Sequence, residues 1–224
     1  MYLAIETSSS VCSVSVSNGS TVIDEKRSYQ DQKQLRWVMP SLDELLRKNK
    51  INYSDLKGLA VSNGPGMYTG LRIGVSTVKT ISQILNIPVY VFNSLDLLAL
   101  NCQEQNGLFC PVIDVKKNQV FWSVYEICGK SIERKEEYHL TSFDTFVEKI
   151  NRRTDEYSFI GSAFEKNEEK FKNIIMIGHK LLNRDFWYPY SSLMLTNIND
   201  RSISRRTDYL SLAVNYTREP DVGA

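Results

Sequence analysis

The stretch NGPGMYTGLRIG, residues 63–74, constrains the fold most, because it joins an apolar run to a helix through a glycine-proline turn. The five residues before it, GLAVS, predict a short buried strand. After the turn, a helix is predicted from about Tyr68 to Leu85, ending before Pro88. This strand, turn and helix indicate an α/β fold.

The first thirty residues predict an antiparallel meander. YLAIE, residues 2–6, is a short apolar run, and the following VCSVSVSN alternates between apolar residues and serines, as in a half-buried strand. Asn18-Gly19 is a strong hairpin signal, and STVIDEKRSY returns as a third strand. A helix then spans residues 31–49, with Pro40 inside it and a leucine-rich stripe on one side.

The remaining patterns continue the alternation of strands and helices. IPVYVF predicts a strand, and Ser94 caps a short helix. After residue 105 the chain predicts a hairpin formed by LFCPVIDV and QVFWSVYEI, a further strand within 131–140 and a helix starting at Thr141 or Ser142. YSFIG predicts a strand and SAFEKNEEKF a helix.

This order resembles the ribonuclease-H-like core of actin, the sugar kinases and the Hsp70 ATPase domain. The second half is too short for a full second copy. We therefore expect two parts: residues 1–105, which carry the core, and residues 106–224, a smaller and degenerate subdomain.

Composition excludes several classes of protein. The formal net charge is +1, which provides no overall field for nucleic acid or an anionic membrane. The chain contains no apolar run of membrane-spanning length, no signal-peptide pattern and no CxxC pair, which predicts a cytoplasmic protein with reduced thiols. His139 and His179 are the only histidines and fit neither a metal motif nor a Ser-His-Asp triad.

Three motifs each allow a functional and a structural interpretation. The turn at Gly64-Pro65-Gly66 could bind a phosphate at a helix N-terminus, although its spacing matches neither common fingerprint and favours a simple tight turn. Glu6-Thr7-Ser8 could orient a magnesium-bound water, or only stabilise a turn. The cluster of Arg201, Arg205 and Arg206 could touch phosphate, or only face solvent.

Gly70 and Gly74 share one face of the second helix, where each costs about 1 kcal/mol relative to alanine. A face of small residues lets another backbone approach, either the chain's own sheet or a partner helix. Trp37 projects about 140° from the leucine stripe of the first helix, and tryptophan is enriched in interface hot spots. Together these features favour a partner-binding surface.

Four segments together resemble the TsaB family of bacterial tRNA threonylcarbamoyladenosine biosynthesis proteins. They are LAIETSSS, NGPGMYTGLRIGVSTVK, IPVYVFNSLDLLA and the closing YTREPDV. The family pattern of the second segment is close to GPGSFTGLRIG, with Met67-Tyr68 here in place of Ser-Phe. DVKKNQVFWSVYE resembles the family's DARRGEVY segment in degraded form.

The resemblance implies a non-catalytic subunit that pairs with TsaD, the paralogue that transfers a threonylcarbamoyl group to an adenosine beside the tRNA anticodon. Pairing would use the first two helices, and a TsaE-type ATPase would join the complex. Members of this family also self-associate when alone. TsaD has a metal-binding histidine pair in its first helix, which TsaB-type proteins lack; many of them keep one histidine in that helix, where this chain has Gln34.

These arguments predict residues for two sites. The partner-binding site is expected at Trp37, Met67, Gly70, Leu71, Gly74 and Thr77. A vestigial phosphate loop is expected at Glu6, Thr7, Ser8, Gly64 and Gly66. We expect no metal and no cofactor, with a nucleotide near the partner interface left open, and tRNA reached only through the complex. The rival hypothesis is a small ATPase or kinase of the same superfamily that uses Glu6 and the NGPG loop.

Overall fold

The computed structural model describes residues 1–29, 34–115, 118–129, 131–174 and 178–215; at positions 34, 35, 170, 173 and 174 only the backbone is described. The chain divides into two compact units. The first contains Met1–Ser94 and the described residues from Tyr190 onward, and the second contains Leu95–Pro189. The closing YTREPDV segment lies outside the described residues.

The strands and helices follow one another along both units. The strands are β1 (Tyr2–Glu6), β2 (Cys12–Asn18), β3 (Thr21–Ser28), β4 (Gly58–Ser62), β5 (Val89–Phe92), β6 (Gly107–Asp114), β7 (Gln119–Trp122), β8 (Tyr125–Cys128), β9 (Ser131–Arg134), β10 (His139–Ser142), β11 (Tyr157–Ile160), β12 (Lys180–Leu181) and β13 (Ser204–Thr207). The α-helices are α1 (Gln34–Lys48), α2 (Tyr68–Leu85), α3 (Ser94–Leu100), α4 (Phe143–Asn151), α5 (Glu168–Ile174) and α6 (Ser191–Thr196).

The first unit is built on a six-stranded sheet in the order β13-β5-β4-β1-β2-β3. β1, β2 and β3 form the antiparallel meander predicted from the sequence, and β4 and β5 lie parallel to β1. Each of these parallel strands is reached through a helix, α1 before β4 and α2 before β5. The predicted α/β class and ribonuclease-H-like core are confirmed.

The helices α1 and α2 cover one face of this sheet. The predicted leucine stripe of α1 is buried, with Val38, Leu42 and Leu45 at or below 1% exposure. Val75 and Val78 of α2 bury into the same core. The bounds predicted for α2 agree with the structure, and Pro40 lies inside α1.

The serine face of β2 is a correction to the half-buried strand that was predicted. Ser13, Ser15 and Ser17 are fully buried, because α6 packs over this side of the sheet. The backbone N–H of Ser191, at the start of α6, donates to Ser13 Oγ at 2.8 Å. The sequence could not show this cover, because α6 is about 180 residues further along the chain.

Because the chain returns to the first sheet after residue 189, its division into two parts differs from the one predicted. The sequence-based division placed everything after residue 105 in a second subdomain. In the structure, β13 instead pairs antiparallel with β5, and α6 packs on the first sheet. The second unit also begins earlier, at Leu95.

The second unit has its own sheet, in the order β10-β7-β6-β11-β12, with β8 paired to β6 and β9. The predicted hairpin splits, because β7 pairs with the end of β6 and β8 with its beginning. The predicted third strand forms as β9 and β10, and the helix predicted at SAFEKNEEKF is interrupted before α5. The core is rich in aromatic residues, with Phe143, Phe146, Phe159, Phe164 and Phe171 in mutual contact.

The helix start predicted at Thr141 or Ser142 is confirmed, since Ser142 caps α4 through a hydrogen bond from the backbone N–H of Thr145. Among the helices that the structure describes, none combines the length and hydropathy needed to cross a bilayer.

Candidate functional site

The NGPG loop lies directly on the turn that follows β1. The backbone N–H of Met67 donates to the carbonyl of Ser8 at 2.7 Å. At Gly66, a Cβ atom would overlap that same carbonyl, so the two backbones are in direct contact and only glycine fits. The N–H of Met67, which precedes the first residue of α2, is therefore used within the chain and not offered to a phosphate.

A second segment of the chain covers the other side of this loop. The backbone N–H of Asn215 donates to the carbonyl of Asn63 at 2.8 Å, and the Asn63 side-chain amide donates to the carbonyl of Ala213 at 3.1 Å. Gly64 has a φ of +126°, and a Cβ there would lie 2.8 Å from the carbonyl oxygen of Asn215. The loop is thus held between the Ser8 turn and residues 213–215.

Glu6 ends β1 beneath the loop and is fully buried. Its Oε1 accepts a hydrogen bond from the backbone N–H of Ser8 at 2.6 Å. Burial raises the pKa of this carboxyl, and the hydrogen bond from the backbone of Ser8 opposes the rise only in part. A carboxyl with a raised pKa and no access to solvent is poorly suited to orient a metal-bound water.

Thr7 joins the end of β1 to the glycine face of α2. Its Oγ1 donates to the carbonyl of Gly70 at 2.8 Å. A Cβ at Gly74 would overlap the same Oγ1 and would lie 3.5 Å from Val61 Cγ2. The close neighbour of Gly74 is therefore the chain's own sheet, which accounts for this glycine without a partner, and its place in a partner-binding face stays a prediction.

The other residues predicted for partner binding are dispersed. Gly70 and Leu71 are buried. Leu71 Cδ1 lies 3.4 Å from the point that a Cβ atom would occupy at Gly64. Met67 is half-buried at the start of α2. Trp37 is half-buried and packs against the apolar core of the first unit. The side chain of Gln34 lies outside the described residues.

An open apolar groove lies on α1 and α2. Of the residues that line it, the sequence predicted only Thr77 as part of a site. The groove has a volume of about 610 Å³, and it is lined by Met39, Tyr53, Ser76, Thr77, Thr80, Ile81, Ile84 and Leu85. Ile84 is 74% exposed and Met39 is 41% exposed. The residue that could have indicated this groove in the sequence is Ile84, an isoleucine that lies beside the buried apolar stripe of α2 and not within it.

Each of the two histidines contacts other residues of its own chain. His139 lies 3.1 Å from the Glu136 carboxylate and stacks on Trp122. His179 Nδ1 accepts a hydrogen bond from the backbone N–H of Tyr157, and burial lowers the pKa of its imidazole. Across residues 1–29, 34–115, 118–129, 131–174 and 178–215, no three His, Cys, Asp or Glu side chains gather as metal ligands would.

The fold and this site together define a ribonuclease-H-like domain whose NGPG loop is packed against its own chain. The sequence model of the family described as TsaD, tRNA N6-adenosine threonylcarbamoyltransferase, matches residues 26–193. The chain belongs to this family. Its resemblance to the TsaB proteins is also confirmed by similarity in sequence.

Two curated relatives are named tRNA threonylcarbamoyladenosine biosynthesis protein TsaB. The Bacillus subtilis protein is 28% identical over 173 residues, covering 77% of this chain and 76% of the relative. The Buchnera aphidicola (subsp. Baizongia pistaciae) protein is 27% identical over 93% of both chains. The solved structure of YeaZ from Pseudomonas aeruginosa superposes with a TM-score of 0.76 at 16% identity, covering 96% of this chain and 98% of that one; this similarity supports the fold alone.

Proposed function

We propose that this chain is a non-catalytic partner subunit of a tRNA threonylcarbamoyl transferase. It would dimerise with a TsaD-type catalytic paralogue in the cytoplasm and hold it in an active form for threonylcarbamoyladenosine formation in tRNA. The observation that carries the proposal is the open apolar groove on α1 and α2, in a chain of this family with a closed phosphate loop.

The closed loop argues for the accessory role and against the rival ATPase or kinase. A phosphate at the start of α2 would need backbone N–H groups that face an open space. In this chain the Met67 N–H is already bonded to Ser8, and Gly66 is in contact with the same carbonyl. Glu6, the candidate for orienting a magnesium-bound water, is buried with a raised pKa.

The groove argues for a protein partner. Aliphatic and aromatic side chains line it, and Ile84 and Met39 remain largely exposed. An amphipathic helix of a partner can bury such a groove, with anchors spaced by three or four residues. The TsaD-type paralogue is the proposed occupant, a second copy of this chain would occupy the groove when that partner is absent, and a TsaE-type ATPase would join the complex.

The test is to purify the chain with a TsaD-type paralogue and to assay threonylcarbamoyladenosine formation in tRNA with and without the chain. The proposal predicts a stable complex and a modification rate that depends on the chain. A nucleotide titration of the isolated chain distinguishes this proposal from the rival hypothesis of a small ATPase or kinase. Tight ATP binding with hydrolysis by the chain alone would support the ATPase or kinase instead.

A further inference from the structure

The cluster of Arg201, Arg205 and Arg206 lies at the free edge of the first unit's sheet. Arg205 and Arg206 are exposed in β13, which is hydrogen-bonded only to β5, and Arg201 is exposed in the turn before it. Within the part of the chain that the structure describes, none of the three is ion-paired with a carboxylate. Three unpaired guanidinium groups thus lie along one edge.

The acidic residues that flank this cluster in the sequence do not neutralise it. The Asp200 carboxylate accepts hydrogen bonds from the backbone and the hydroxyl of Ser202. The Asp208 carboxylate accepts one from the backbone N–H of Ser211 at 2.8 Å. Both carboxylates are therefore directed to their own turns.

Two tyrosines lie beside Arg206 on one face of the sheet, whereas Arg205, the preceding residue of β13, projects from the opposite face. Arg206 is the direct partner of Tyr90 in the pairing of β13 with β5, so their side chains project from the same face. Tyr90 and Tyr2 are half-buried and meet edge to face, with ring centroids 6.0 Å apart. Gly58 lies beneath both rings, and a Cβ there would be 2.9 Å from Tyr2 Cε1 and 3.0 Å from Tyr90 Cε2.

We propose that this sheet edge, with Arg206 and Tyr90 on one face, Arg205 on the other and Arg201 in the turn before β13, binds a non-duplex segment of RNA directly. The guanidinium groups would contact phosphates, which they bind in a bidentate manner, and the exposed part of the Tyr90 ring would contact an unstacked base. Arginines along a free sheet edge, with an aromatic ring beside one of them, favour single-stranded nucleic acid over an acidic protein or a lipid surface, because bases stack on aromatic rings.

This inference goes beyond the proposed function, in which tRNA is reached only through the catalytic partner, and it rests on that function for the choice of tRNA as ligand. Since the whole chain has a formal net charge of only +1, the contact is a local one. The surface is distinct from the groove on α1 and α2, because no residue of this edge lines that groove.

The test measures binding of an unmodified tRNA transcript to the chain alone and to its complex with the TsaD-type paralogue, over a range of salt concentrations. The double variant Arg205→Gln, Arg206→Gln should bind more weakly, and the slope of log K against log salt should fall by about 1.4, or about 0.7 for each lost phosphate contact. Tyr90→Leu should weaken binding about fivefold or more with the slope unchanged.

The matched control is Lys149→Gln, Arg152→Gln, which removes two exposed positive charges from the second unit. It should retain the parent affinity and slope. The inference is overturned if both double variants behave alike, if the parent chain alone binds no tRNA at low salt, or if only binding to anionic phospholipid vesicles changes. Complex formation with the paralogue is measured in parallel, and its loss in the parent chain would contradict the proposed function instead.

Discussion

Thr7 Oγ1 donates a hydrogen bond to the carbonyl of Gly70 at 2.8 Å, and the backbone of Gly74 lies against the same hydroxyl group one turn further along α2. The absence of a side chain at Gly74 therefore allows α2 to approach the end of β1. The cost of this glycine in helix propensity is offset by packing within the chain.

Gly74→Ala should destabilise the isolated chain by about 1–3 kcal/mol. The new methyl group would displace the buried Thr7 hydroxyl and weaken its hydrogen bond to Gly70. This sign is the reverse of the one expected if α2 carried a partner-binding glycine face. The measurement is the free energy of unfolding in urea, at a concentration that disfavours self-association.

Ser76→Ala is the matched control, because Ser76 is exposed on the same helix. Helix propensity predicts that it changes stability by a few tenths of a kcal/mol in the favourable direction. A Gly74→Ala chain that is as stable as the control would show that the contact with Thr7 does not restrict this position.

Glu6→Gln should make the chain more stable at neutral pH. The unfolded carboxyl ionises near its ordinary pKa of 4.5, whereas burial raises its pKa in the folded chain. The folded chain binds this proton more tightly than the unfolded chain, so the stability of the parent chain falls as the pH rises from about 4.5 through the folded pKa. The glutamine variant lacks this contribution.

The measurement is the difference in free energy of unfolding between Glu6→Gln and the parent chain from pH 4 to pH 8. This difference should shift in favour of the variant as the pH rises. A difference that does not vary with pH would mean that the folded carboxyl has an ordinary pKa.

Trp37→Ala should destabilise the chain by about 1–3 kcal/mol, because the indole is half-buried against the apolar core of the first unit. Thermal unfolding measures this loss, and a pull-down with the TsaD-type paralogue, corrected for the folded fraction, measures partner binding. Unchanged stability together with weakened binding would show that Trp37 belongs to the partner interface.

The sequence predicted those elements whose signal is local. The meander, the strand at residues 58–62 and the helix from Tyr68 to Leu85 follow from alternation, the Asn18-Gly19 turn and the glycine-proline break. The sequence also predicted most of the residues that meet at the loop, from Glu6 to Gly66. It could not show that residues 213–215 cover this loop, because that contact joins positions about 150 residues apart.

The sequence predicted a partner-binding surface on α1 and α2, and the proposed groove lies on the same two helices, but of the residues predicted for that surface only Thr77 lines the groove. Glycines at i and i+4 mark a close approach but do not say to what. Whether they face the chain's own sheet depends on the rotation of α2 about its axis, which Thr7 and Val61 determine in the structure. Ile84, which is 74% exposed, lies about 80° around the helix from Gly74 and marks the side of the groove.

The central claim is that the groove on α1 and α2 binds the catalytic paralogue, and a pair of variants tests it most directly. Ile84→Asp places a charge in the groove, whereas Leu210→Asp places one at a residue that is 73% exposed outside it. Both variants should unfold like the parent chain, because each side chain is largely exposed. The measurement is the dissociation constant for the TsaD-type paralogue, together with the rate of tRNA modification. We predict that Ile84→Asp weakens binding at least tenfold and lowers the rate, while Leu210→Asp leaves both unchanged. Equal affinities for the two variants and the parent chain would contradict the account.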